Sequence, residues 1–340
     1  MMSTKDKASC MSSTAPVDDS LNRKGQLLSS LKSFLFILGT ALIIFVAFRN
    51  TVTWHLQCFW GASGNFWQSH WEKIVYLFGK EYSLAVWGTF ISTFLVYWGA
   101  GLLYTFIDLT GKPAFLLRYK IQDTTAYPVK VSQVLHVVKQ VLINQILVGI
   151  PFAMVGYHLM KWRGYDQGTE LPTFQWVLLE LTIFILMEEL GFYYSHRLLH
   201  HPKVYKYIHK RHHEWTSPIA ITAVYCHPVE HIFSNLVPPY LGPLLMGSHT
   251  ATSWLWFTIA ILSTLNAHSG YHFPFFPSPE AHDFHHLKFN QNYGMLGVLD
   301  RLHGTDTQFR NSKVYHRHIM LLSLVPLKQL YPDDLKQKTK

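Results

Sequence analysis

Residues 193 to 213 read YYSHRLLHHPKVYKYIHKRHH, and residues 268 to 286 repeat the theme as HSGYHFPFFPSPEAHDFHH. Each stretch holds a histidine pair four residues apart and then a triplet of the form H-x-x-H-H. The first supplies His196 and His200, then His209, His212 and His213; the second supplies His268 and His272, then His282, His285 and His286. Side chains three or four residues apart share a helix face, so each pair or triplet aims its imidazoles at one spot. A lone histidine on a helix is ordinarily a packed or solvated residue. Here 14 of the 21 histidines crowd into residues 196 to 286 and the pattern comes twice, which is the distribution that metal ligation requires.

Ten imidazoles exceed the coordination of a single ion and suit two, so the repeat predicts a dinuclear centre capped from two sides. Zinc, copper, iron and nickel all accept imidazole. The three cysteines, Cys10, Cys58 and Cys226, form no C-x-x-C, which excludes a thiolate zinc site and a disulfide framework. His227 and His231, in HPVEH, are spaced to face together and are candidates for additional ligands or for groups behind them. Glu189, Glu230, Asp283 and Asn292 are candidates for orienting the imidazole N–H groups, since metal-bound histidine usually gives its other ring proton to an oxygen. His201 is expected to face away from the first pair, and His249, His303, His316 and His318 fit no spacing.

Charged residues make up 14% of the chain, against roughly 25% in soluble proteins, and aromatics reach 15%. Charge-free runs of spanning length, Tyr82 to Ile107 above all, place such a chain in a bilayer. The net charge of +9 is scattered among apolar segments, which argues against nucleic acid. Residues 1–30 read as a disordered tail. Residues 31–130 hold spans at Phe34 to Phe48 and Tyr82 to Ile107, then a polar loop; residues 131–310 hold spans at Val141 to Met160 and Leu171 to Leu190, the histidine segments, and an apolar hairpin formed by Ile232 to Met246 and Ala251 to Ala267; residues 311–340 form a C-terminal tail.

The two histidine segments can meet only if an even number of crossings separates them, and the hairpin supplies two. On this arrangement Lys and Arg number 24 on the histidine side and five on the other, which puts both termini and the metal site in the cytosol. The predicted fold is therefore all-α: a polytopic membrane helical bundle with a cytosolic helical cap holding a His-rich dinuclear site. Lys336 and Lys338, five and three from the end, resemble a dilysine retrieval signal of endoplasmic reticulum membrane proteins.

The boxes HRLLH, HKRHH and HDFHH, with YCHPVEH between them and NYG and LDRLHGT after them, resemble the fatty acid hydroxylase and sterol desaturase superfamily. The resemblance extends over nearly the whole chain to kin of the sterol C4-methyl oxidases, with the catalytic part at about residues 130 to 310. It implies two non-haem iron ions held by His196, His200, His209, His212, His213, His268, His272, His282, His285 and His286, and O2 as co-substrate. It also implies electrons from NADH or NADPH through a separate b-type cytochrome and its reductase. The absence of G-x-G-x-x-G and of a Walker loop agrees with reducing power arriving from another protein. The expected reaction is hydroxylation of a lipid C–H bond, with oxidation of a sterol C4-methyl group first. Fatty acyl or sphingolipid hydroxylation and sterol desaturation on the same core are the alternatives. A zinc hydrolase lacks its H-E-x-x-H, and a lipid-binding protein with a structural metal clamp is the non-enzymatic reading.

Overall fold

The computed structural model describes residues 19–122, 128–165 and 168–333. Residues 1–18, most of the expected tail, and the Lys336 and Lys338 signal lie outside them. Two compact units, Met1–Trp67 and Gln68–Lys340, divide the chain. In the first, helix α1 (Asp19–Phe78) carries an apolar stretch, Leu31–Arg49, long enough to cross a membrane, and side chains such as Phe36 and Ile43 stand exposed along it.

The second unit is helical throughout its described residues, apart from a single antiparallel bridge between Lys120 and Tyr271. Helices α2 (Ser83–Thr110) and α3 (Val131–Trp162) are the two here that have spanning length and apolarity. Each contains one π-helical turn, at Ser83–Gly88 and Asn144–Gly149. In α3 that turn delivers the buried Asn144 amide to the Val224 and Cys226 carbonyls at 2.9 and 3.0 Å. Tyr97 of α2 donates to the Ile221 carbonyl at 2.8 Å. The strap from Ile219 to Tyr225 is thereby locked against Tyr97, Val137, Val141 and Leu265, which form the main apolar core.

Helix α4 (Phe174–Leu199) runs through the first histidine pair, and His200 is its C-cap, as the lack of a breaker predicts. Among the described helices three have the length and apolarity needed to cross a membrane, and α4, which carries the expected span from Leu171 to Leu190, is not one of them. The reason is Glu180, Glu188 and Glu189, all buried inside the protein, whereas Leu178, Leu186 and Leu190 on its outer side are exposed. Three carboxylates are more charge than a spanning stretch carries by composition, and here all three face inward.

The hairpin packs on α4. Its first arm ends in α5 (Val237–Met246) and its second is α6 (Thr250–His268). Pro238 and Pro239 follow directly on a π-helical turn, His231–Leu236, and the helical backbone runs on through them to Met246. Gly242 lets α5 approach α4: a Cβ there would stand 2.7 Å from the Phe184 Cα. The hairpin returns the chain to the His196 end, so that His268 closes α6 within reach of the first histidine segment.

Candidate metal centre

Beyond His200, Pro202 starts a short turn and His209–Glu214 forms a 3-10 helix. The second triplet lies on α7 (Glu280–Lys288). Nine of the ten box histidines gather into two groups, His196, His200, His209, His213 and His285 in one, His212, His268, His282 and His286 in the other, with ligand atoms within 4.8 Å of one another in each. The halves interleave rather than capping the centre from two sides: His285 completes the group drawn from the first segment, and His212 completes the group drawn from the second. A triplet on 3-10 or α-helical backbone cannot turn all three rings to one point, so its middle ring crosses over.

The backbone fixes ring orientation. The Nδ1 atoms of His196, His268, His285 and His286 donate to the carbonyls of Tyr293, Thr264, Gln291 and Trp215 at 2.8, 2.9, 2.6 and 3.0 Å. A neutral imidazole that donates from Nδ1 carries its lone pair on Nε2. Six Nε2–Nε2 distances within the groups, His200–His285, His200–His213, His209–His213, His212–His268, His268–His282 and His282–His286, fall between 2.9 and 3.3 Å.

Burial keeps these rings uncharged: it lowers His196 to about 4, and burial with the neighbouring imidazoles lowers His200 to about 2. His209, His212, His282, His285 and His286 are driven well below the ordinary histidine range for the same reasons. Neutral rings aiming lone pairs at one another repel, and a shared cation removes that repulsion. Nitrogens on adjacent corners of an octahedron with bonds of about 2.1 Å lie about 3.0 Å apart, so the donor spacing fits an ion of that size.

His272 is the exception. Its Nδ1 lies 3.2 Å from Glu280 Oε1 and its Nε2 donates to the Ile319 carbonyl at 3.0 Å, so it stands apart from both groups. His227 caps a short helix by accepting from Val229 N, and the buried His231 lies 3.4 Å from the Asn235 amide; neither joins a group. His201 likewise turns away, accepting from Lys203 N.

Of the four residues expected to orient imidazoles, Glu230 reaches one: its Oε1 lies 2.8 Å from His209 Nδ1, off the line of the ring N–H. Burial raises the Glu230 carboxyl well above the usual range. Glu189 instead accepts from Met295, Leu296 and Leu299 N, at 2.9, 2.8 and 3.1 Å. Asp283 accepts from Gln122 Nε2, and burial raises it to about 7. Asn292 adopts φ 56° and donates to the Ala281 carbonyl.

The residue that spacing alone misses is Asp300. Fully buried, it accepts from Tyr293 N, Gly294 N and Thr305 Oγ1, and so shapes the loop whose carbonyls hold His196 and His285. Gly294 admits both carboxylates, since a Cβ there would meet Asp300 Oδ2 and Glu189 Oε1 at 2.9 Å.

A cavity of about 550 Å³ is lined in part by His196, His209, His212, His268 and His282. Its walls include Phe94 and Tyr97 of α2, Phe152 of α3, Phe192 of α4, Tyr240 of α5 and Phe257 of α6. The volume suits a lipid-sized ligand.

With the histidines assembled, the relatives become informative. The family model for fatty acid hydroxylase matches residues 181–305. Fatty acid hydroxylase domain-containing protein 2 is 51% identical in Macaca fascicularis and 50% in Homo sapiens, over 93% of this chain and 95% of each relative. The chain belongs to the fatty acid hydroxylase family. Methylsterol monooxygenase 2-1 of Arabidopsis thaliana is 32% identical over 72% of this chain and 96% of its own length. No solved structure matches. For a fatty acid hydroxylase family member, three apolar helices and a largely apolar cavity lined in part by the histidines describe a membrane protein with its candidate chemistry in that cavity.

Proposed function

We propose that this chain is an O2-dependent non-haem di-iron oxidase of lipid C–H bonds, with a sterol C4-methyl group as its first substrate. The observation that carries this reading is the convergence of Nε2 lone pairs in two groups, five imidazoles and four, with no thiolate among them. His196, His200, His209, His213 and His285 would hold one ion, and His212, His268, His282 and His286 the other. Bound iron would supply activation of dioxygen by two electrons and two protons, one oxygen entering the C–H bond and the other leaving as water.

The rest is work for the chain itself. Carbonyls of Tyr293, Thr264, Gln291 and Trp215 keep the Nδ1 protons in place, so that every fixed ring offers Nε2 inward. Aromatic walls drawn from five helices admit an apolar substrate and exclude bulk water. Methylsterol monooxygenase relatives support the sterol preference, and the family's own description supports fatty acyl hydroxylation as the second reading.

Electrons are proposed to come from NADH or NADPH through a b-type cytochrome and its reductase, docking on the basic face. The proposed site is the endoplasmic reticulum membrane with both termini and the metal centre cytosolic. In that topology the part of α4 up to Leu190 is the fourth crossing, with its glutamates turned inward, and His196 follows just beyond it on the same helix. Metal analysis of the purified protein, paired with sterol and lipid profiles of cells lacking it, tests the proposal. Iron together with accumulated 4-methylsterols supports it. Unchanged sterols with lost hydroxyacyl lipids select the second reading, and zinc without oxygen-dependent turnover rejects both.

A further inference from the structure

Residues 319–325, within the expected C-terminal tail, present an apolar surface. Phe115, Phe275, Ile319, Leu322, Leu324 and Val325 are each between 45 and 72% exposed. Loose side chains at a chain end would be unremarkable, but the backbone beneath these is pinned. Phe275 N donates to the Leu321 carbonyl at 2.8 Å and Tyr119 Oη to the Leu324 carbonyl at 2.9 Å. His272, the histidine left out of the metal groups, donates to the Ile319 carbonyl. Leu321 and Leu327 pack inward on Tyr119, which turns their neighbours out. Phe275 has φ 64°, a conformation costly for an aromatic residue, and its ring is 64% exposed. Strain that places a phenyl ring in water calls for something other than water to meet it.

Continuity names the occupant. Phe115 belongs to the 3-10 helix Ala114–Tyr119, which follows directly from the Gly111 cap of α2. In its last turns α2 itself exposes Leu102, Leu103 and Phe106, at 54, 71 and 57%. Tyr104 of α2 stacks on Phe273, 5.9 Å between centroids, which ties the two surfaces together. Exposed apolar side chains thus run from the last turns of a helix of spanning length, through Phe115, to the segment that Phe273 and Tyr119 tie to it.

We propose that residues 319–325, with Phe115 and Phe275, form an interfacial anchor that seats the histidine-bearing cap on the bilayer. The test uses the full chain in phosphatidylcholine vesicles, with Cys10→Ser and Cys58→Ser to leave the buried Cys226 as the one native thiol and a bimane label on Leu322→Cys. Label emission is expected to fall with a lipid nitroxide placed near the headgroup, to fall less with one at the acyl terminus, and to resist aqueous iodide. Quenching by iodide with none from lipid overturns the anchor. So does shielding that appears only as protein per vesicle is raised, which indicates a second copy, or only when a protein electron donor is added. The readout requires no turnover, so failure of the anchor and failure of the oxidase reading are distinguishable.

Discussion

His200 and His285, 85 residues apart in the chain, bring their Nε2 atoms to 3.2 Å. The contact joins the two histidine segments within one group, as the 3.3 Å approach of His268 to His212 joins them within the other. Under an exchange of the halves, His196, His200, His209, His213 and His285 map onto His268, His272, His282, His286 and His212. The two groups therefore correspond member for member in sequence, except that His272 is diverted from its place.

That diversion makes a sharp prediction. His272→Gln is expected to keep the metal content of the parent protein while loosening the segment at Ile319, and His200→Gln is expected to lose metal. Metal analysis of the two purified variants beside hydrogen exchange over residues 315–325 checks it. Equal metal loss in both would return His272 to the ligand set.

Glu230 differs from the other three carboxyl and amide candidates because it alone approaches an imidazole. Glu230→Gln is expected to weaken metal binding on the order of 10- to 100-fold, the usual effect of removing an oxygen behind a metal-bound histidine. Asp283→Asn, which touches Gln122, leaves the affinity near that of the parent. Chelator competition distinguishes them.

Acid acts through the same rings. His196, held at about 4 when folded and metal-free against about 6.5 unfolded, binds its proton more readily in the unfolded chain. No penalty exists above pH 6.5; as pH falls below that value stability is lost, reaching about 3 kcal/mol from this residue by pH 4. The thermal midpoint of the metal-free protein in detergent is expected to fall between pH 7 and pH 5, and a flat profile would contradict the neutral cluster.

Gly294→Ala inserts a methyl group between Asp300 and Glu189. The cost is expected at about 1–3 kcal/mol, as for other overpacked sites. Metal affinity should fall with it, because Tyr293 and Gln291 supply the carbonyls for His196 and His285. A variant with normal metal content and a normal midpoint would show that the loop adapts.

Much of this was legible in the residues. Spacing alone exposed the histidine pairs and triplets, because a helix translates intervals of three and four into a shared face. The crossing-over of His212 and His285 was hidden, since it depends on how two segments meet in space. His272 looked like a ligand because its interval from His268 matches that of His196 and His200; Glu280 and the Ile319 carbonyl decide otherwise. Backbone carbonyls, which do most of the orienting, leave no signature in residue type. The burial of the α4 glutamates was hidden too, for they are charges in composition and interior groups in space.

Each histidine group draws on both segments, His285 joining four rings of the first and His212 joining three of the second. During synthesis the first group therefore lacks His285 until the second segment has emerged. On the proposed assignment, loading both positions with metal is coupled to closure of the whole cap, and a prematurely terminated chain would carry an incomplete ligand set.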